Sequence, residues 1–163
     1  MKRYIVSTAV LLFTCAMAFA QSDTSAVAQE SEFASAIVDG ELYVFDGLIF
    51  ASVRGARFRF SADGDVLAPI NRQVSFLAPF GETGTFDLDS ERDGPVRMSY
   101  LEVRMNPDRQ TFFDVVSGVV TITESSPEAI AGRFEGTAVD QEDPDNQVVI
   151  RDGVFRVEPT IRN

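Results

Sequence analysis

Ala129-Ile130-Ala131-Gly132-Arg133-Phe134-Glu135-Gly136-Thr137-Ala138-Val139 decides the fold. Taken two residues at a time, Ile130, Gly132, Phe134, Gly136 and Ala138 fall on one side, and Arg133, Glu135 and Thr137 on the other. A period of two with one apolar and one polar face is the signature of a half-buried β-strand. Arg57-Phe58-Arg59-Phe60 repeats the pattern, with rings on one face and guanidiniums on the other, and Val120 and Ile122 oppose Thr121 and Thr123.

Outward from that stretch, short runs rich in Val, Ile, Phe, Thr and Tyr recur. They are Ser35–Val38, Leu42–Phe45, Leu48–Val53, Ala56–Phe60, Gln73–Phe80, Thr85–Leu88, Val96–Arg104, Thr111–Val116, Val119–Thr123, Ala129–Val139 and Val148–Val157. Such composition fits a pleated, half-covered surface. Asp39-Gly40, Asp46-Gly47, Asp63-Gly64, Asp93-Gly94 and Asp152-Gly153 supply turn chemistry between apolar runs, and Asn106-Pro107-Asp108 marks a further turn. No stretch has the length and capping of an amphipathic helix. The expectation is an all-β domain, an antiparallel sandwich or barrel of about ten short strands.

The N-terminus carries an address. Lys2 and Arg3 precede an apolar stretch from Tyr4 to Ala20 that ends Ala18-Phe19-Ala20. A basic start, an apolar centre and small residues at a cleavage site describe a signal peptide over residues 1–20. The competing reading is a lipoprotein anchored through Cys15, which follows Leu12-Phe13-Thr14. Residues 21–33 begin as a small, polar stretch that reads as a disordered spacer, and 34–163 read as one domain. A secreted, periplasmic or outer-envelope protein is expected, with no transmembrane span after cleavage.

Composition then removes whole function classes. There is no His and no Trp, the one Cys is Cys15 and the one Lys is Lys2. Beyond residue 20 no Ser-His-Asp triad, Cys nucleophile, Lys Schiff base or P-loop lysine can be assembled, and zinc or haem sites built on His or Cys are excluded. Twelve arginines face twenty-five carboxylates there, a net charge of −13. That excess opposes binding to nucleic acid or to an anionic membrane and keeps an acidic protein soluble.

Four segments carry a family resemblance: Gly84-Thr85-Phe86-Asp87-Leu88, Ser117-Gly118-Val119-Val120-Thr121-Ile122-Thr123, Gly132-Arg133-Phe134-Glu135-Gly136-Thr137 and Val148-Val149-Ile150-Arg151-Asp152-Gly153-Val154-Phe155. In this order they resemble a family of small uncharacterised bacterial envelope β-domains, secreted or lipid-anchored. The likeness spans about residues 34–158 and starts near Val38-Asp39-Gly40. It implies an all-β secreted domain and assigns no catalytic residue. This chain has Gly132-Arg133-Phe134 where the family pattern has Gly-Thr-Phe, which sets an arginine on the outward face.

Carboxylates are the abundant reactive groups left. Asp87, Asp89, Glu91 and Asp93 are spaced by two and followed by Gly94. With Asp89 as the first position of a calcium loop, the twelfth is Tyr100 rather than the bidentate Glu of an EF-hand. A looser calcium site on Asp89, Glu91 and Asp93 is the metal candidate. Asp140, Glu142, Asp143 and Asp145 form a second acidic run, read as a polar hairpin loop. No other cofactor is implied.

The functional expectation is a non-enzymatic binding or structural domain whose partner is a protein, a glycan or a small apolar ligand. Two alternatives stand beside it. One is a small hydrolase using a pair of carboxylates. The other is a calycin-like carrier with phenylalanines lining a barrel.

Overall fold

The computed structural model describes residues 32–88, 94–105 and 108–162. They form eleven strands and no helix: β1 (Phe33–Val38), β2 (Glu41–Val44), β3 (Ile49–Arg54), β4 (Arg57–Asp63), β5 (Ile70–Pro79), β6 (Gly84–Asp87), β7 (Arg97–Met105), β8 (Asp108–Ser125), β9 (Ile130–Asp140), β10 (Gln147–Val157) and β11 (Pro159–Arg162). All belong to one sheet in the order β11-β3-β4-β5-β7-β8-β9-β10-β1-β2, with β6 on the side of β8. The sheet is strongly curled into a half-barrel, so the fold is all-β as the alternation predicts. Every pairing is antiparallel except β11 with β3, which is parallel.

The alternation translates directly into inside and outside. Along β9 the residues Ile130, Gly132, Phe134, Gly136 and Ala138 are buried, whereas Arg133 and Glu135 are exposed. Phe58 and Phe60 of β4 are fully buried. The concave side is filled by rings: Phe60 lies 4.8 Å from Phe76 and 4.7 Å from Phe155, and Phe155 lies 5.1 Å from Phe76. Phe134 joins them at 6.3 Å from both Phe76 and Phe155. Rings at these separations gain contact energy beyond the apolar area they cover.

Two glycines make room for this stack. Gly132 pairs across the strands with Phe155, and Gly153 with Phe134. A Cβ on Gly153 would stand 2.6 Å from the Phe134 ring, and one on Gly132 would meet the backbone of Thr121 and stand 2.9 Å from the Phe155 ring. Each large ring therefore lies over a residue with no side chain, an arrangement known to stabilise glycine within sheets.

Several local expectations change. The runs Thr111–Val116 and Val119–Thr123 are parts of one strand, β8, whose register slips between Val115 and Ser117 next to Gly118 at φ 139°. A bulge lets the strand continue while bending. Asp152-Gly153 is not a hairpin turn. It is a bulge inside β10, where the register shifts between Ile150 and Gly153 and Asp152 takes φ 50°. Asp39-Gly40, at φ 50° and 86°, does form the tight two-residue turn between β1 and β2. Gly55-Ala56 is a second tight turn, between β3 and β4, and β11 was not anticipated.

Candidate functional site

The outward face of β8, β9 and β10 carries a shallow groove. Its central depression, about 390 Å³, is bordered by Val119, Thr121, Arg133, Glu135, Asp152 and Val154. A second of about 250 Å³ shares Glu135 and extends toward Ser117, Thr137 and Arg151. A third of about 350 Å³ shares Arg133 and Val154 and ends at Phe33 and Arg156. The three run along the outward positions 131, 133, 135 and 137 of β9, so the groove is about 20 Å long at a strand rise of about 3.4 Å per residue.

Local sequence explains its shape. The inward residues of β9 include two glycines, and the outward ends of the groove are set by small Ala131 and Thr137. Across the strands Arg133 lies between Thr121 on β8 and Val154 on β10. Thr121 is tied to Thr85 of β6 through their hydroxyls at 3.0 Å. Arg156 at the Phe33 end is bonded to Glu124. Arg133, Glu135, Arg151 and Asp152 have no side-chain partner among the described residues and are exposed. A guanidinium and a carboxylate thus stand at neighbouring outward positions of one strand without pairing.

A second cluster closes the interior at the end where β5 begins and β7 ends. The guanidinium of Arg72 donates from Nε to Glu102 Oε1 at 3.3 Å, and Tyr100 donates its hydroxyl to the same oxygen at 2.9 Å. Arg104 approaches Glu102 Oε2 at 3.7 Å. Tyr43, reaching in from β2, accepts from the Arg72 backbone N–H at 3.2 Å, and the Arg72 guanidinium lies over its ring at 5.1 Å. A Cβ on Gly64 would collide with the Tyr43 hydroxyl.

The titration of this cluster follows from its burial. Burial first, then the negative charge of Glu102, pushes the Tyr100 phenol far above its usual range, so it remains a hydrogen-bond donor. Burial works against the Arg72 charge, but Tyr100 and Glu102 outweigh it and the net shift is upward. The arrangement ties β2 to β5 and β7 across the hollow of the sheet.

The metal candidates fare differently. Asp89, Glu91 and Asp93 lie outside the described residues. In the second acidic run, Asp140 uses both carboxylate oxygens: Oδ1 accepts from the Glu142 backbone N–H at 2.9 Å and Oδ2 from the Asn146 amide at 2.9 Å. Those donors hold its pKa below the usual carboxylate range. Asp143 in turn accepts from the Asp145 backbone N–H at 3.2 Å. The loop thus supplies donors to the Asp140 and Asp143 carboxylates, and among the described residues no three acidic groups are grouped so as to hold an ion. Asp63 shows the opposite shift, raised by burial against the lowering effect of its bond from Gln73.

Sequence reading missed both clusters. A signal existed for the buried one. Arg72 shares the inward register of Val74, Phe76 and Ala78, and Glu102 that of Met98 and Tyr100. A charge at an inward position demands an opposite charge nearby. For the groove the signal was Arg133 itself.

No protein-family model matches the chain, and neither does any curated protein or solved structure. The fold and these two clusters define an all-β half-barrel with a covered polar end and a grooved outer face. Among the described residues no helix is long and apolar enough to cross a membrane.

Proposed function

We propose that the chain is a secreted, non-enzymatic binding domain of the bacterial envelope or exterior, and that the groove over β8–β10 receives a linear, hydroxyl-rich glycan. The N-terminal segment and the family resemblance support the location. The observation that carries the binding surface is the unpaired Arg133 and Glu135, side by side on β9. Arg donates only and a carboxylate accepts only. A sugar hydroxyl does both, so neighbouring hydroxyls along a glycan answer such a pair.

The position of the groove favours a glycan over a peptide. It lies on the face of strands whose backbone groups are already used in pairing with β8 and β10, so a peptide could not add to the ladder there. Phe33, 45% exposed at one end, offers a ring for a sugar to stack on.

Two alternatives find less support. A calycin-like carrier needs an enclosed apolar cavity, whereas the centre of the concave side is occupied by Phe60, Phe76, Phe134 and Phe155 in mutual contact. A carboxylate-pair hydrolase needs a protonated acid facing a second carboxylate. The carboxyl raised by burial is Asp63, and its hydrogen-bond partner is the amide of Gln73.

The test is amide shift mapping by NMR with a panel of linear neutral and acidic oligosaccharides at millimolar concentration. Shifts confined to residues 117–123, 131–137 and 149–156, lost in Arg133→Ala and Glu135→Ala, are expected. Absence of shifts with every sugar, or binding that both variants leave intact, would overturn the reading.

A further inference from the structure

β2 is an edge of the sheet, and among the described residues no strand pairs with its outer side. Edge strands are ordinarily protected by being very short, by charged side chains, proline, a bulge or a covering loop, and of these β2 has its four-residue length and Glu41. β2 reads Glu41-Leu42-Tyr43-Val44, with Leu42 72% and Val44 55% exposed. Leu42 lies directly across from Ile37 on β1 and Val44 across from Ser35. Phe33 occupies the same outward face of β1 as Ile37 and is 45% exposed. The result is an apolar strip beside a ladder that is open among the described residues, on a protein of strongly negative charge.

The hydrogen-bond parity of β2 determines what this edge can accept. Phe45 donates its backbone N–H to Ala34 on β1. Alternate residues of an antiparallel strand address opposite neighbours, so Tyr43 and Glu41 also face β1, in line with the Asp39-Gly40 turn. The backbone N–H and C=O groups of Leu42 and Val44 therefore point to the free side.

We propose that β2 pairs with β2 of a second copy, antiparallel about a two-fold axis through Tyr43. In that register Leu42 is opposite Val44 of the second copy and Val44 opposite its Leu42. All eight free backbone groups of the two strands are then used in four hydrogen bonds. The same register sets apolar side chains against apolar side chains on the outward face. It also sends the two Glu41 carboxylates to opposite ends of the pair, where neither meets a like charge across the strand. Registers shifted by two residues in either direction leave part of this edge facing Gly40 or Asp46. The sequence of this edge complements itself, a requirement of a two-fold interface.

Net charge gives the association a signature. Two copies at −11 each, or −13 each counted beyond residue 20, repel over long range, and salt screens that repulsion while leaving the ladder and the apolar contact intact. The dimer is therefore stronger at high salt. A basic partner on the same edge would behave in the opposite way.

Sedimentation velocity on the purified protein across concentration, at low and at high salt, reads this directly. A monomer–dimer equilibrium that tightens several-fold with salt is expected, and it is abolished in Leu42→Lys, whose thermal melt by circular dichroism stays that of the parent chain. A parent chain that remains monomeric at high protein and high salt concentration overturns the proposal, as does a dimer unaffected by Leu42→Lys. Register is tested in a Cys15→Ala background carrying Leu42→Cys and Val44→Cys together. Mild oxidation gives a covalent dimer if residue 42 faces residue 44 of the second copy. Failure to cross-link while the variant still dimerises overturns the register.

Discussion

Around Phe155 the hollow of the sheet is closed by rings lying on rings, whereas around Glu102 it is closed by a carboxylate, a guanidinium and two phenols. Both regions are covered, and both join distant strands: Phe155 of β10 meets Phe60 of β4, and Tyr43 of β2 meets Arg72 of β5. They differ in how they respond to the loss of one member. A ring removed from the first leaves a void, whose cost scales with its volume. A partner removed from the second leaves a charge in poor solvent, whose cost is electrostatic and depends on pH.

The largest expected effect breaks the apolar end. Phe155→Ala removes contacts to Phe60, Phe76 and Phe134 and is expected to cost about 3–5 kcal/mol in urea unfolding. At the polar end, Glu102→Ala strands Arg72 and is expected to cost about 3 kcal/mol, the low side for a broken buried pair because Arg72 retains some exposure. The paired replacement Arg72→Met with Glu102→Leu sharpens the contrast. It is expected to return stability to within about 1 kcal/mol of the parent, since no buried charge is left unpaired and Arg104, which also approaches Glu102, is exposed to water. A double variant as weak as Glu102→Ala alone would mean that Tyr43 and Tyr100 need the charges in place.

The smallest effect separates the two regions by acid. Asp140 is covered, inward in register and opposite Phe113, which packs 5.4 Å from Tyr100. Its pKa is lowered in the folded chain, so its contribution is present above the ordinary carboxylate range and lost as pH falls through the lowered value. Asp140→Asn is therefore expected to be less stable than the parent at neutral pH, with the gap closing in acid below about pH 4. Thermal melts of the two proteins across pH measure this, and a gap that stays constant into acid would place the effect elsewhere than in the charge.

The division between the two regions also divides what was legible in the sequence. The apolar end follows from local pattern: in Arg57–Phe60 and Ile130–Ala138 each residue announces its face through its neighbours two positions away. Strand extent was less legible, because Ser117-Gly118 interrupts the apolar runs Thr111–Val116 and Val119–Thr123, and only the long partner β9 carries β8 past it. Asp152-Gly153 has the chemistry of a hairpin turn and serves as a bulge for the same reason. β11 could not be foreseen, since Pro159–Arg162 is a strand by virtue of lying beside β3. The polar end depends on pairs of residues far apart in the chain, such as Arg72 with Glu102, which no window of periodicity spans.

The route of the chain through the sheet has a consequence for how the protein is made. β1 lies between its hairpin partner β2 and β10, with Phe33 beside Arg156, and β3 receives its outer neighbour from β11, far along the chain. A ribosome releases the N-terminal strands long before β10 and β11 exist, so the sheet cannot be completed until both have been made. Pairings so distant along the chain also form slowly once it is released. Until then β1 and β3 each keep one side of their ladders open, waiting for strands that lie about a hundred residues further on.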